Sequence, residues 1–272
     1  MFVKALRLDM SRFFDFKGAQ IHYTIEGKGK PLIMLHGFLC NHRIWKPYNA
    51  VLKKKYKVIS IDLPGHGKSD SIGYLHSMEL MADMVFELVR SLGIRKVNIV
   101  GHSMGGYVGL AYLEKYPDNC KTLCLFNSSA RSDSEERKAD RTRAIKVIKQ
   151  NHQLYLKTVV PNLFYTDNKP FKREIRTVLT MAEESSHQGI VASQEGMKIR
   201  ANREIIIHFS PCKVHYILGK NDPILKFEEM DEESSTGENT SRFIAENGGH
   251  MCMYEAKAES LNSLTEFLKV NA

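Results

Sequence analysis

Along the chain, short apolar runs rich in β-branched residues alternate with longer stretches whose apolar residues recur every three or four positions. The first period suits buried strands and the second amphipathic helices. Arg12–Phe16 and Ile21–Glu26 flank Lys17-Gly18 and read as a hairpin. PLIMLHG at 31–37 and KVISIDL at 57–63 read as strands, with Trp45, Tyr48 and Leu52 forming one helical stripe between them. Met78–Leu92 places Met81, Val85 and Leu88 on one helical face. A strand over Lys96–Val100, a helix from Met104 to about Lys115 and the strand TLCLFN follow. Further on come the strand KVHYILG at 213–219, a helical stretch, a short strand near Ser241–Ala245 and a closing helix over about Ala258–Val270. This alternation predicts an α/β protein with a mostly parallel sheet covered by helices on both faces.

Between about Ser128 and Phe209 the rhythm changes. SEERKADRTRAIKVIKQ and KREIRTVLTMAEES are helical and richly charged, and no strand pattern returns until 213. The stretch is too long for a structureless loop in a compact domain. It reads as a helical insertion over the carboxyl ends of the strands, dividing the chain into a core of 1–127 with 210–272 and an insertion of 128–209.

Composition narrows the picture. The 272 residues suit one large α/β domain or a domain with an insertion. No apolar run approaches the ~20 residues of a membrane span, and MFVKALRLDMSRFFDF is too charged for a signal-peptide core. A cytoplasmic protein is expected. Five scattered cysteines, Cys40, Cys120, Cys124, Cys212 and Cys252, predict reduced, buried thiols rather than a disulfide framework. Cys120 and Cys124 lack companions at zinc-site spacing. The net charge is +8, with Lys53, Lys54 and Lys55 at the end of an amphipathic helix, where cations favour the dipole. No nucleic-acid motif accompanies the surplus, so no nucleic-acid partner is expected. The acidic run Glu228–Glu233 reads as a solvated helix face.

The chemistry concentrates in KVNIVGHSMGGYVGLA, where Gly105, Gly106 and Gly109 lie inside a helix pattern at a cost of about 1 kcal/mol each against alanine. Gly101-His102-Ser103-Met104-Gly105 joins a strand to a helix in a G-x-S-x-G pattern. A serine on such a strained turn projects its Oγ clear of the sheet, and side chains two residues either side would strike neighbouring backbone. The turn also aims the Met104 N–H at the space before the serine. Serine needs a base. NGGHM places His250 in a glycine-built loop after a strand, and GKNDP places Asp222 after another; Asp231 is a rival inside the acidic run. Asp222 would stay ionised and hold the His250 tautomer that accepts the serine proton. LHGF supplies Phe38, whose N–H would be the second oxyanion donor. His36 is expected to brace that loop by hydrogen bonds. PGHGKSD, 64–70, is expected to be an architectural turn. His66 and His102 are given no proton-transfer role.

HGF, DLPGHGKSD, GHSMGG, GKNDP and GGHM, in this order over nearly the whole chain, resemble the α/β-hydrolase fold, in its serine-hydrolase class. The order Ser103, Asp222, His250 is that family's, unlike the trypsin-like or subtilisin-like orders. The resemblance implies an eight-stranded, mostly parallel sheet, with 128–209 as a helical lid. GHSMGGYVGLAYLEKYP is similar to small lidded bacterial hydrolases and esterases. A serine replaces the aspartate of haloalkane dehalogenases and epoxide hydrolases, and Leu39 stands where epoxide hydrolases usually have proline. HGFL replaces both the HGGG loop of many lipases and the HGxGPG loop of ring-cleavage C–C hydrolases. These departures favour a carboxylic ester of small or medium acyl chain, cleaved through an acyl-Ser103. The same triad would also serve C–C hydrolysis, cofactor-free perhydrolysis or the lyase reaction of the menaquinone pathway, and a non-catalytic ligand receptor on the same fold stays open. Tyr155, Leu163, Phe164, Tyr165, Met181 and Met197 are candidate pocket walls. Arg176, Arg200 and Arg203 are candidate partners for a substrate carboxylate, or structural ion pairs. The chemistry calls for a small-molecule ester and for neither metal nor organic cofactor; the oligomeric state stays open.

Overall fold

The computed structural model describes residues 11–165 and 169–272. Residues 1–10, the start of the stretch weighed as a signal peptide, lie outside the described residues.

Eight strands form one sheet: β1 (Ser11–Phe16), β2 (Ala19–Glu26), β3 (Lys30–Leu35), β4 (Tyr56–Ile61), β5 (Val97–His102), β6 (Cys120–Phe126), β7 (Lys213–Gly219) and β8 (Thr240–Ala245). Their order is β1-β2-β4-β3-β5-β6-β7-β8. β1 pairs antiparallel with β2, and β2 with β4; every later pair is parallel. The expected hairpin and α/β class are therefore present, with eight strands as the resemblance implies.

Successive strand residues point to opposite faces, and both faces are buried. One face carries Ile33, Leu35, Ile59, Ile61, Ile99 and Leu123 against α2 (Met78–Ser91) and α3 (Met104–Lys115). The other carries Leu32, Met34, Val58, Val100 and Phe126 against Trp45, α1 (Lys46–Leu52) and the C-terminal helix. This two-sided burial is why the strands read as continuous apolar runs rather than alternating ones. Lys53–Lys55 lie in the turn just past α1 rather than in its last turn, and Lys53 pairs with Glu26 at 2.9 Å.

Strand order reverses at β3. β4 lies on one side of it and β5 on the other, so the carboxyl ends of β3 and β5 open a crevice between them. Leu35 stands opposite Gly101 in the parallel register, which brings the loop after β3 beside the loop after β5.

Between β6 and β7 the chain makes α4 (Glu135–Gln150), α5 (His152–Val159), α6 (Lys172–Glu183), α7 (His187–Lys198) and α8 (Glu204–His208). Ser134, Asn151 and Ser186 cap α4, α5 and α7 by accepting a backbone N–H from the first turn. This segment seats on the core where Gly65, at φ +76°, meets Gly189: a Cβ on Gly65 would lie 2.3 Å from the Gly189 Cα. Ser186 N donates to Gly65 O at 3.0 Å across the same contact.

After β7 come α9 (Phe227–Ser235), β8, α10 (Cys252–Glu255) and α11 (Lys257–Asn271). The acidic run is not uniformly solvated. Glu228, Glu229 and Glu232 are exposed, but Glu233 is wholly buried and accepts from Ser129 Oγ at 2.6 Å, Ala130 N at 2.7 Å and Tyr216 Oη at 2.9 Å. Glu233 lies with Met230 and Ser234 on the buried side of α9, and there three donors compensate its burial. All five cysteines are buried and unpaired. Among the described residues no helix is long and apolar enough to cross a membrane.

Candidate active site

Ser103 lies between β5 and α3 with φ 49° and ψ −116°, a conformation that L-residues rarely adopt. The flanking glycines make it possible. A Cβ on Gly101 would lie 2.3 Å from Gly105 O, and a Cβ on Gly105 would lie 2.5 Å from Leu35 O. Both obstacles are backbone, so neither position accepts alanine without displacing a strand or a helix.

The structure brings Ser103, His250 and Asp222 into one chain of hydrogen bonds. Ser103 Oγ is 3.0 Å from His250 Nε2, and His250 Nδ1 is 2.8 Å from Asp222 Oδ2. The His250 and Asp222 side chains are 4% and 3% exposed, which shields the pair from water. Asp222 Oδ1 also accepts the N–H groups of Ile224 at 2.7 Å and Leu225 at 3.0 Å. Burial alone would raise the Asp222 pKa; the adjacent His250 and the two amides outweigh it and hold the carboxyl below its usual value. An ionised Asp222 favours the Nδ1–H tautomer of His250, which leaves Nε2 as the acceptor facing Ser103 Oγ. Asp231 lies away from this chain and pairs with Arg242 at 3.2 Å.

The loop after β3 presses on Ser103. A Cβ on Gly37 would lie 3.3 Å from Ser103 Cβ and 2.5 Å from His102 Nδ1. Phe38 follows directly and lines the space beside Ser103, while Met104, whose side chain is wholly buried, opens α3 directly after Ser103. His36 Nδ1–H donates to Gly37 O at 2.8 Å and Nε2 accepts Leu63 N–H at 2.9 Å, the bracing expected of it. Burial and the neighbouring His66 lower its pKa to about 3, so it stays neutral. His102 Nε2–H donates to the His250 carbonyl at 2.9 Å; burial and His250 lower its pKa to about 3.

The 62–70 loop hangs from Asp62. Its Oδ1 meets His42 Nδ1 at 2.8 Å, and its Oδ2 meets His22 Nδ1 at 2.7 Å and accepts Lys68 N–H at 3.0 Å. His22, His42 and Asp62 are a residue set able to ligate a metal, within 4.8 Å of one another. Here their ligand atoms are engaged with each other, which gives the group an architectural task.

A cavity of ≈ 190 Å³ opens beside Ser103 and His250, lined also by Phe38, Tyr107, Tyr155, Leu163, Met197 and Ile224. Of the expected walls, Tyr155, Leu163 and Met197 are there. Phe164 and Met181 are not: both are buried in the apolar core on the α1 side of the sheet, where Phe164 stacks near Phe171 and Tyr254. Tyr165 is also outside the cavity lining. The helical period exposes an apolar stripe without telling which member faces a cavity and which faces another helix. Arg176 is exposed. Arg200 is buried, bonded to Asp133 at 2.5 Å, and lies 4.1 Å over the ring of Tyr107. Arg203 is buried between Glu79 and Glu114. The arginines that do line the cavity, Arg137 and Arg141, went unrecognised in the sequence because α4 is charged on every side. Arg141 pairs with Asp133 and donates to Gln194 Oε1 at 3.0 Å; Gln194 in turn donates to Tyr155 Oη at 2.9 Å.

Two further residues hold the site and were not read from the sequence. Asn127, at φ 44°, donates from Nδ2 to Asp222 Oδ2 and to Gly249 O, both at 3.0 Å. Glu255 accepts the N–H groups either side of His250. An asparagine at a strand end is a weak sequence signal for positive φ; nothing local marks the glutamate.

Residues 30–173 match the family model described as alpha/beta hydrolase fold. The chain is 32% identical over 131 residues to the (E)-2-((N-methylformamido)methylene)succinate hydrolase of Acinetobacter baylyi, covering 48% of this chain and 49% of that one. The match thus spans about half that relative's length. The chain is 27% identical over 250 residues to the AB hydrolase superfamily protein YisY of Bacillus subtilis, covering 88% of this chain and 91% of that one. Among solved structures, a thermophilic esterase from Thermogutta terrifontis superposes with a TM-score of 0.88 at 28% identity, over 93% of this chain and 95% of that one.

Proposed function

From the premise that this chain belongs to the α/β-hydrolase fold family, we propose that it is a hydrolase that cleaves small or medium carboxylic esters through an acyl-Ser103 intermediate, with Ser103, His250 and Asp222 as the catalytic triad. The observation that carries this reading is the hydrogen-bonded sequence Ser103 Oγ–His250 Nε2–Asp222 at 3.0 and 2.8 Å. The similarity to a thermophilic esterase across nearly the whole chain supports the same reaction class.

His250 Nε2 takes the Ser103 proton as Oγ attacks the ester carbonyl. The tetrahedral oxyanion lies against the Phe38 and Met104 N–H groups, and each such donor is worth about 3 kcal/mol. His250 then hands the proton to the leaving alcohol, and Asp222 stabilises the imidazolium in between without itself becoming protonated. Water, activated by the same nitrogen, releases the acid. In this reading 1–127 with 210–272 is the core and 128–209 a lid, whose Tyr155, Leu163 and Met197 wall the acyl site. A volume of ≈ 190 Å³ is below the ~300–1,000 Å³ of sites for drug-sized ligands, which favours a short acyl group.

The test is a panel of p-nitrophenyl esters beside a vinylogous diketone and a peracid assay. Ester turnover lost in Ser103→Ala supports the reading. Turnover confined to the diketone or to perhydrolysis moves the same residues to another reaction.

A further inference from the structure

Glu255 is the last residue of α10, and its side chain is directed back at the His250 loop. Oε2 accepts Gly249 N–H at 3.0 Å and Met251 N–H at 2.9 Å, the two amides that flank His250. Oε1 accepts Tyr165 N–H at 2.6 Å, from the segment between α5 and α6. No cation pairs with this carboxylate among the described ion pairs; three amides satisfy it. The fit is close, since a Cβ on Gly249 would lie 2.7 Å from Tyr165 Cβ and 2.8 Å from Glu255 Oε1. Phe164, stacked near Tyr254 at 6.3 Å, adds apolar contact beside the polar one. Leu163, a wall of the Ser103 cavity, is two residues from Tyr165.

We propose that Glu255 is a positioning residue that docks the inserted helical segment through Oε1 and sets the His250 loop through Oε2, so that one side chain serves both the seating of the cavity wall and the placement of the imidazole. The proposal rests on the reading of His250 as the base. Its two arms are separable by chemistry. A glutamine at 255 keeps a single acceptor oxygen. Turned to the Gly249 and Met251 amides it preserves two bonds and sets its NH₂ against the Tyr165 N–H, cutting the insertion arm alone. Proline at 165 removes the same donor from the other side; Phe164, at φ −97° and ψ 146°, already has the conformation a following proline demands. Alanine at 255 removes both arms.

The experiment compares Glu255→Gln, Tyr165→Pro and Glu255→Ala in the full chain by p-nitrophenyl butyrate kinetics and by amide exchange. Glu255→Gln and Tyr165→Pro should raise KM ~tenfold while lowering kcat less than ~threefold, as expected for lost binding rather than lost chemistry. Exchange should quicken over 161–165 and 169–171 and stay unchanged over 246–251. Glu255→Ala should quicken exchange in both segments and lower kcat ~100-fold, the scale of an ångström-sized misplacement. Wild-type exchange over 161–165 and 169–171 in Glu255→Ala would overturn the proposal, as would a kcat loss in that variant matched by its loss of folded fraction. If the wild type turns over no ester, the functional reading fails separately, and the exchange pattern still decides whether Glu255 holds both segments.

Discussion

Asn127 Nδ2 lies 3.0 Å from Asp222 Oδ2, the oxygen that also faces His250. The same nitrogen reaches Gly249 O at 3.0 Å, so one amide ties the acid to the loop that carries the imidazole. Asn127 has positive φ, and glycine is the substitution that removes the side chain without straining the backbone. Asn127→Gly should lower kcat/KM for a short ester ~10- to 100-fold, the scale of lost positioning. Steady-state kinetics beside a melting curve check this: an unchanged rate at an unchanged Tm would release Asn127 from the site.

Asp222→Asn should cost ~10⁴ in kcat. The carboxamide can present its NH₂ to Nδ1, favouring the tautomer with the proton on Nε2, which cannot accept from Ser103. The check is kcat at pH 8 together with circular dichroism. A fall under tenfold with a native spectrum would assign the acid role to another residue.

Acid should unfold the protein through its buried histidines. Burial lowers the pKa of His36 and His102 to about 3 and of His66 and His215 to about 4. Each is therefore neutral in the fold where the unfolded chain, with pKa near ~6.5, binds a proton. Stability is complete above that unfolded value and falls as pH drops toward the folded one. Asp222, held below its usual value, adds the same sign at lower pH: its contribution is present above the unfolded carboxylate pKa and is lost as pH falls through the folded one. Between pH 6.5 and 5 the loss should be about 1–2 kcal/mol for each histidine. Urea unfolding at the two pH values measures it, and His66→Asn, which keeps a donor near Pro64 O, should flatten the slope. A flat wild-type profile would contradict the burial argument.

The cavity beside Ser103 should select short acyl chains. p-Nitrophenyl acetate and butyrate should exceed the decanoate in kcat/KM by ~tenfold or more, in line with what a few methylenes cost in a closed pocket. Leu163→Ala and Met197→Ala, which enlarge the wall, should narrow the gap. Equal rates for all chain lengths would mean that the wall yields to the substrate.

Most of the fold was legible because both periods were clean. The apolar strands are buried on two faces, and α2 carries its stripe at Met81, Val85 and Leu88 as the spacing indicates. The geometry around Ser103 was legible for a different reason: Gly101 and Gly105 meet backbone, and backbone collisions leave a residue-type signature. What stayed hidden depends on tertiary partners. Glu233 reads like its exposed neighbours until Ser129, Ala130 and Tyr216 are seen around it. Phe164 and Met181 differ from Tyr155 and Leu163 only in what stands opposite them. Asn127 and Glu255 act by bonding backbone amides and carbonyls of distant loops, which no local pattern records.

The proposed chemistry requires Ser103 to be an activated nucleophile. Intact-mass and peptide mass spectrometry after treatment with a fluorophosphonate test it directly. Wild type should take up one phosphonyl group, on Ser103, while His250→Ala labels at least ~100-fold more slowly for want of a base. A folded wild-type protein that stays unlabelled, or carries the label on another residue, would contradict it.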